Sequence, residues 1–197
     1  RSMKEKQILE RARERAAADF IPVCGEGCAR ILEECCLRLK PRRILEIGTA
    51  VGCSAALMAL SCGAEVDTID FDEERLKRAR ELWRELGIEG RIHAFCGDVK
   101  RILPEVIAGK KYGLVFIDGP KSAYKSIFES VREHTEKGGE IVSDDVDYLG
   151  LVLSKAYPPH KHRTIVTNMR EYLEYISAPP LDTRVFGDCG VAVTEVR

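Results

Sequence analysis

Apolar residues recur along this chain in two alternating patterns, short continuous runs and longer stretches with the spacing of one helical face. The continuous runs predict strands in RRILEIG, AEVDTID, RIHAFCG, YGLVFID and GEIVSDD. The stretches between them predict helices in GCSAALMALSC, in DEERLKRARELWREL, over residues 98–108 and over residues 122–137. Strands that alternate with helices in this way predict a parallel sheet with helices on both faces.

Both ends of the chain depart from this alternation. Two segments with helical spacing, residues 3–19 and a segment that ends near Leu39, precede the first strand. At the other end, the helix HRTIVTNMREYLEYI is followed by two strands in DTRVFGDCGVAVTEV, joined through Gly187-Asp188 as a hairpin. We therefore predict a doubly wound α/β fold whose mostly parallel seven-stranded sheet has one antiparallel strand at its end. Residues 1–197 are predicted to form one domain, with N-terminal helices in residues 1–40 and the core in residues 41–197.

The composition narrows the classes of partner. The chain is 45% hydrophobic and 32% charged, as expected of a globular domain, and its formal charge of -1 gives no overall attraction to nucleic acid or to an anionic membrane. No apolar run approaches the roughly 18–20 residues of a membrane span, and the N-terminus is charged. We expect a cytoplasmic protein with no membrane partner.

The chain has eight cysteines, several of them inside apolar stretches, and we expect most to be free thiols. A metal cluster is an alternative interpretation for Cys24, Cys28, Cys35 and Cys36. The absence of a C-x-x-C pair and of a suitably spaced histidine argues against that cluster.

Carboxylates stand at the end of every predicted parallel strand. They are Glu46, Asp70, Asp98, Asp118 and the adjacent pair Asp144 and Asp145. One aspartate at a strand end is usually a turn former. In open α/β sheets, however, ligands bind beyond the carboxyl ends of the strands, so carboxylates shared by five strands predict one ligand-binding crevice.

The turn EIGTAVG after the first strand bears on the ligand. A dinucleotide-binding turn has the pattern G-x-G-x-x-G, whereas here Gly48 is followed by Ala50 and Gly52. This spacing disfavours an NAD-dependent dehydrogenase and favours a ligand without phosphates that the backbone approaches closely. Asp70, at the end of the second strand, is placed to accept hydrogen bonds from both hydroxyls of a ribose.

Several motifs together resemble those of a known family. EIGTAVGCSA, TIDFDEERLKRA, GDVKRILP, VFIDGPKSAY and IVSDDV, in that order, resemble class I methyltransferases that use S-adenosylmethionine, and specifically the metal-dependent catechol and caffeoyl-CoA type O-methyltransferases. The resemblance covers the chain from about Gly25 to the C-terminal hairpin and implies a Rossmann-like fold and a homodimer. It also implies a set of cofactor-binding residues: Glu46, Gly48, Thr49 and Ser54 near the methionine part, Asp70 at the ribose, Gly97, Asp98 and Val99 at the adenine, and also Phe71 and Asp118.

By the same resemblance Asp118, Asp144 and Asp145 are the metal ligands and Lys121 is the candidate catalytic base. Three carboxylates suit a hard cation such as Mg²⁺, with Mn²⁺ or Ca²⁺ as alternatives. Adjacent residues of a strand point to opposite faces, so we predict that the strand has bent where Asp144 and Asp145 meet. Most relatives have Asn as the third ligand, and the extra charge of Asp145 should tighten metal binding.

The acceptor of the methyl group is the least constrained feature. The small size and the helix near HKHRTIVTNMREYLEY are similar to bacterial relatives that methylate 5-hydroxyuridine in tRNA, and the rival acceptor is a small catechol-like phenol. Arg163, Arg170 and Lys161 are candidate phosphate-binding residues, although a solvated helix face explains them equally well. Tyr124 and Tyr148 are candidate walls of the acceptor pocket or packing residues. A nucleotide-binding protein without catalysis is the alternative from another functional class.

Overall fold

The computed structural model describes residues Arg1–Arg197 and contains the predicted alternation of strands and helices. The strands are β1 (Arg43–Ile47), β2 (Glu65–Asp70), β3 (Ile92–Cys96), β4 (Tyr112–Ile117), β5 (Thr135–Ser143), β6 (Asp182–Phe186) and β7 (Val191–Glu195). The helices are α1 (Met3–Ala18), α2 (Glu26–Leu39), α3 (Cys53–Cys62), α4 (Glu73–Glu85), α5 (Val99–Ile107), α6 (Tyr124–Arg132) and α7 (Arg163–Ser177).

All strands belong to one seven-stranded sheet in the order β3-β2-β1-β4-β5-β7-β6. β1 to β5 pair in parallel, and β7 is antiparallel to both of its neighbours. The prediction that the antiparallel strand lies at the end of the sheet was wrong in position, because β6 forms the edge. The reason is burial: four of the five residues of β7 are buried, whereas β6 has none, so the more apolar strand takes the interior place.

The boundary between α6 and β5 also differs from the prediction. The helix ends at Arg132 rather than at residue 137, and the polar residues that follow begin β5 at Thr135. The Thr135 hydroxyl donates to the Val131 carbonyl at 2.8 Å and so satisfies the end of the helix. Gly139 lies against Gly113 of β4, where an added Cβ would stand 2.8 Å from the Gly113 carbonyl oxygen. Because the two glycines are far apart in sequence, no local sequence pattern indicates that their backbones meet.

The two faces of the sheet are covered by different helices. Buried residues of α1 to α4 form one apolar cluster with one face, and buried residues of α5 to α7 form a second cluster with the other. The sheet is thus buried on both sides, which explains why its central strands are continuous apolar runs rather than alternating ones. This arrangement confirms the doubly wound α/β fold.

A buried carboxylate joins the strands near their amino ends, at the edge of the sheet opposite to their carboxyl ends. Asp67 of β2 is fully buried, and it accepts hydrogen bonds from Tyr112 Oη at 2.7 Å and Lys110 Nζ at 3.1 Å. Arg43 Nη1 lies 3.3 Å from the same carboxylate. These contacts join the starts of β1 and β4 to β2, away from the crevice.

We expect Asp67→Asn to lower the free energy of unfolding by about 2 kcal/mol, because it leaves partly buried cations without their charge partner. Glu65→Gln is the matched control, since Glu65 pairs with the same Arg43 but its side chain is 51% exposed. That control should change stability by less than about 0.5 kcal/mol. Urea unfolding measures both variants, and equal effects would contradict this account of Asp67.

Candidate active site

A cavity of about 640 Å³ lies at the carboxyl ends of β1 to β4. Four of the predicted strand-end carboxylates line it, namely Asp70, Asp98, Asp118 and Asp145. The parallel register places the ends of neighbouring strands at one edge of the sheet, so residues distant in sequence meet there. The predicted crevice is therefore present.

The residues that were predicted to bind a cofactor fall into two groups. Those that line the cavity are Gly48, Asp70, Phe71, Gly97, Asp98, Val99 and Asp118. Glu46, Thr49 and Ser54 do not line it, and they form a hydrogen-bonded network behind the turn after β1. In this structure these three residues support the turn from behind.

Close backbone packing explains the glycines of this turn. Gly48 has a φ of 98°, and an added Cβ would stand 2.1 Å from the carbonyl oxygen of Asp118. Gly52 has a φ of 85°, and its carbonyl accepts a hydrogen bond from Trp83 Nε1 at 2.9 Å. Both positions require glycine, for conformation and for space.

Asp70 shapes the same turn. One of its carboxylate oxygens accepts from the backbone N–H of Ala50 at 2.9 Å, and the other accepts from that of Asp72 at 3.0 Å. Because Ala50 has a positive φ of 48°, the first bond holds a residue in a conformation that alanine disfavours. The sequence indicated Asp70 as a ribose ligand, but it did not indicate that Asp70 also holds the backbone of this turn.

The network behind the turn centres on Glu46, which is fully buried. Ser54 Oγ donates to one carboxylate oxygen, and Thr68 Oγ1 donates to the other at 2.7 Å. Thr49 Oγ1 lies 2.6 Å from Thr68 Oγ1. Burial raises the pKa of Glu46 to about 8, against the opposing effect of the two hydroxyl donors.

This pKa gives a pH dependence with a definite sign. Between the ordinary value of 4.5 and about 8, Glu46 is protonated in the folded protein and ionised in the unfolded chain. Stability must therefore fall as the pH rises through this window. We expect Glu46→Gln to lessen that fall, so that the unfolding free energy of the variant gains on the wild type by up to about 1.4 kcal/mol per pH unit. Denaturant titrations from pH 5 to pH 8 measure this difference, and parallel curves would contradict it.

The strand end that carries Asp144 and Asp145 is bent, as predicted. β5 ends at Ser143, and Asp145 has a positive φ of 52°. The backbone N–H of Asp145 donates to Asp144 Oδ1 at 2.8 Å. Asp144 is mostly buried, whereas half of the Asp145 side chain is exposed. After the bend Asp145 lines the cavity, whereas Asp144 does not.

Burial and mutual repulsion raise the pKa values of two of the strand-end carboxylates. Burial, followed by the charge of Asp144, raises the pKa of Asp118 to about 7. Burial also raises the pKa of Asp144. A bound cation would relieve this cost, and the all-oxygen donor set suits a hard cation. In this structure, however, no group of three or more His, Cys, Asp or Glu side chains is arranged to hold a metal ion.

Lys121 forms an ion pair with one of the predicted metal ligands. Its Nζ lies 3.2 Å from Asp145 Oδ2 and donates to Tyr124 Oη at 3.2 Å. Tyr124 Oη in turn donates to the backbone carbonyl of Asp144 at 2.9 Å. Lys121 therefore connects the two ends of the strands that carry the predicted ligands.

Neither candidate tyrosine lines the cavity. Tyr124 is completely buried and packs edge-on against Tyr172, with ring centroids 5.5 Å apart. Tyr148 lies with its hydroxyl 3.0 Å from His162 Nδ1. Tyr124 is a packing residue that also orients Lys121, so its interpretation as a pocket wall was wrong.

Arg170 and Arg163, two of the candidate phosphate-binding residues, both contact the protein itself. The Arg170 guanidinium donates to the carbonyls of Leu151, Val152 and Ala156 at 2.9, 3.3 and 2.7 Å. The Arg163 guanidinium lies over the ring of Tyr157 at 4.8 Å. The sequence spacing placed both arginines on one helical face, but could not show that a neighbouring loop engages them.

Seven of the sixteen residues that line the cavity were not predicted as site residues, among them Pro22 and Arg75. Pro22 comes from the segment between α1 and α2, and Arg75 lies in the first turn of α4 near Asp72. Arg75 looks like a solvated helix residue in the sequence, and Pro22 reaches the crevice only through long-range packing.

All eight cysteines are free thiols, and none of the helices combines the length and apolarity that crossing a membrane requires.

Comparison with known proteins agrees with this geometry. The model of the O-methyltransferase family matches residues 2–183. O-methyltransferase ankF of Aspergillus thermomutatus is 30% identical over 69% of this chain and 61% of its own length. Catechol O-methyltransferase domain-containing protein 1 of Mus musculus is 27% identical over 92% of this chain and 74% of its own. The aligned part is thus less than two thirds of the fungal relative.

The fold recurs in solved structures. The O-methyltransferase from Bacillus cereus in complex with SAH has a TM-score of 0.81 and 23% identity, over 97% of this chain and 91% of that one. At this identity the likeness concerns the fold, whereas the family model covers nearly the whole sequence. The chain belongs to the O-methyltransferase family.

Proposed function

We propose that this protein transfers the methyl group of S-adenosylmethionine to a hydroxyl oxygen of a small aromatic acceptor that carries a second oxygen on the adjacent carbon. The observation that carries the proposal is the single cavity in which Asp70 and Asp98 lie at one side and Asp118, Lys121 and Asp145 at the other. A nucleoside-like cofactor fits the first group, and the second group offers charges for a reacting hydroxyl. Membership of the O-methyltransferase family supports the same reaction.

The cofactor is assigned to the side of the cavity formed by β1 to β3. The Asp70 carboxylate would accept hydrogen bonds from the ribose hydroxyls with its remaining lone pairs. Gly97, Asp98, Val99 and the exposed ring of Phe71 would surround the adenine. Gly48 lets the backbone approach the sulfonium part, and Glu46, with Ser54 and Thr49, supports that turn from behind.

A divalent cation, Mg²⁺ or alternatively Mn²⁺ or Ca²⁺, would be held by Asp118, Asp144 and Asp145. Such an ion supplies positive charge that favours loss of a proton from a bound hydroxyl. Asp145 must turn away from Lys121 to join the set, and its half-exposed side chain leaves room for that rotation.

Lys121 is the proposed acceptor of the hydroxyl proton. Its amine lines the cavity beside Asp118, and Tyr124 Oη limits where it can move. Because the amine contacts Asp145 in this structure, it must leave that ion pair and be neutral before it can take a proton. The remaining work of the protein is alignment, since methyl transfer is an in-line displacement.

Removal of divalent cations tests the metal assignment. We expect excess EDTA to lower the rate of methyl transfer at least about 100-fold and added Mg²⁺ or Mn²⁺ to restore it. Isothermal titration with Mn²⁺ gives a second readout, in which Asp145→Ala should weaken Mn²⁺ binding and Asp188→Ala, exposed in the β6–β7 loop, should not. Full turnover in EDTA would contradict the assignment.

A small phenol is favoured over tRNA as the acceptor. The chain has a formal charge of -1, and Arg170 and Arg163 are both engaged with the protein itself. The name of the mouse relative includes catechol O-methyltransferase, which supports the same class of acceptor. Methylation of tRNA that contains 5-hydroxyuridine, with a steep loss of rate on added salt, would instead establish the nucleic-acid acceptor.

The homodimer that the family resemblance implies remains a prediction. Size-exclusion chromatography with light scattering tests it directly, with a mass near twice the 22.1 kDa of the chain as the expected result.

A further inference from the structure

Residues 147–156, the segment after the bent strand end, lie on the side of the strand ends away from the cofactor cavity. The N–H of Val146 donates to the Gly190 carbonyl at 2.9 Å, and Leu153 lies close to Gly187. The segment therefore rests on the loop between β6 and β7, at the same edge of the sheet as the crevice. An acceptor that approaches Asp145 and Lys121 from this side must pass it.

The backbone of this segment is held in unfavourable conformations. Tyr148, Leu149 and Lys155 have φ values of 41°, 59° and 57°. Such a conformation is unfavourable for a residue with a Cβ and persists only where the surrounding structure holds it. Apolar surface is exposed here too, since Leu149 in the segment is 72% exposed and Tyr157, directly after it, is 79% exposed. Contacts from outside the segment must therefore fix its shape.

Arg170 supplies those contacts from α7. Its single guanidinium donates to three carbonyls of the segment, at positions 151, 152 and 156, with the shortest bond 2.7 Å long. The planar, forked guanidinium reaches three acceptors at once, which a lysine ammonium at the same position does less well. Inside the segment, Asp147 Oδ1 accepts from the Leu153 N–H at 2.8 Å, and the Ala156 N–H donates to Ser154 Oγ at the longer distance of 3.4 Å.

We propose that Arg170 is a positioning residue that latches residues 147–156 onto α7 and so sets the acceptor side of the active site. The inference about the acceptor rests on the proposed function, whereas the latch itself does not. Release of the latch should loosen the segment and weaken acceptor binding, while the cofactor side, which Arg170 does not contact, stays unchanged.

Limited proteolysis tests the latch without any substrate. Lys155 is exposed within the segment, and trypsin cleavage after it is read by mass spectrometry of the fragments. We expect cleavage to be at least about 10-fold faster in Arg170→Ala and clearly faster in Arg170→Lys than in the wild type. Arg163→Ala, which removes a guanidinium that touches only the ring of Tyr157, should change the rate less than about 2-fold. Equal rates in all four proteins would overturn the latch.

Steady-state kinetics test the consequence for the acceptor. In Arg170→Ala we expect the KM for a catechol to rise about 10-fold while the dissociation constant of S-adenosylhomocysteine stays within 2-fold. If the wild type methylates no acceptor, the proposed function fails while the proteolysis result still decides the latch. If methylation occurs and cleavage speeds up, but the KM does not move, the role of the segment in acceptor binding is wrong.

Discussion

Replacement of Gly48 by alanine should lower the free energy of unfolding by roughly 3–5 kcal/mol and remove measurable cofactor binding. The added Cβ would stand 2.1 Å from the Asp118 carbonyl oxygen, so the backbone at the ends of β1 and β4 must separate. The φ of 98° adds strain that any residue with a Cβ must bear. Urea unfolding measures stability, and isothermal titration with S-adenosylhomocysteine measures binding at a temperature where the variant is folded.

Gly63→Ala separates the two causes. Gly63 has a similar φ of 74°, but an added Cβ there would meet nothing within 4 Å. We therefore expect a loss of only about 1 kcal/mol, with cofactor binding intact. If both variants lose the same stability, contact with Asp118 is not what requires glycine at position 48.

Asp70→Asn should weaken the binding of S-adenosylhomocysteine about 100-fold or more. Under the proposed function the carboxylate accepts charge-assisted hydrogen bonds from the ribose, and these are stronger than bonds to a neutral amide. The amide must also face the two backbone N–H groups of Ala50 and Asp72, and its own NH₂ would oppose one of them. The turn should loosen together with the loss of the ribose contacts.

Calorimetric titration of the Asp70→Asn variant gives the change in affinity, and Mn²⁺ titration of the same variant tests its specificity. We expect Mn²⁺ binding to stay within about 3-fold of the wild type, because ribose and metal contacts belong to different strand ends. Asp188→Asn, in the exposed loop between β6 and β7, should alter neither affinity. Parallel losses of cofactor and Mn²⁺ affinity in Asp70→Asn would show that the two sites are not separate.

Local patterns in the sequence were sufficient for most of the fold. The apolar run around Leu45 and the helical spacing of α4 are properties of neighbouring residues, so both elements could be predicted. The end of α6 could not, because Thr135 and Glu140 are recruited into β5 by pairing with β4. The place of β7 inside the sheet likewise depends on which strand of the hairpin is buried.

The same distinction applies to the site. The carboxylates Asp70 and Asp118 could be predicted because the rule for parallel sheets converts a strand end into a location. Contacts such as Arg170 with Leu151 or Lys121 with Asp145 depend on side-chain reach across 19 or more positions, and no periodicity encodes them.

Quantification of the reaction products decides whether this protein methylates phenols that carry two adjacent hydroxyls. The enzyme is incubated at high concentration with S-adenosylmethionine, Mg²⁺ and a panel of ortho-dihydroxy phenols, and the products are quantified by mass spectrometry. The account predicts equal amounts of S-adenosylhomocysteine and a mono-O-methylated phenol, and no product from phenols that carry a single hydroxyl. Bound but unconverted S-adenosylmethionine with every acceptor, or reduction of NAD in its place, would contradict the account.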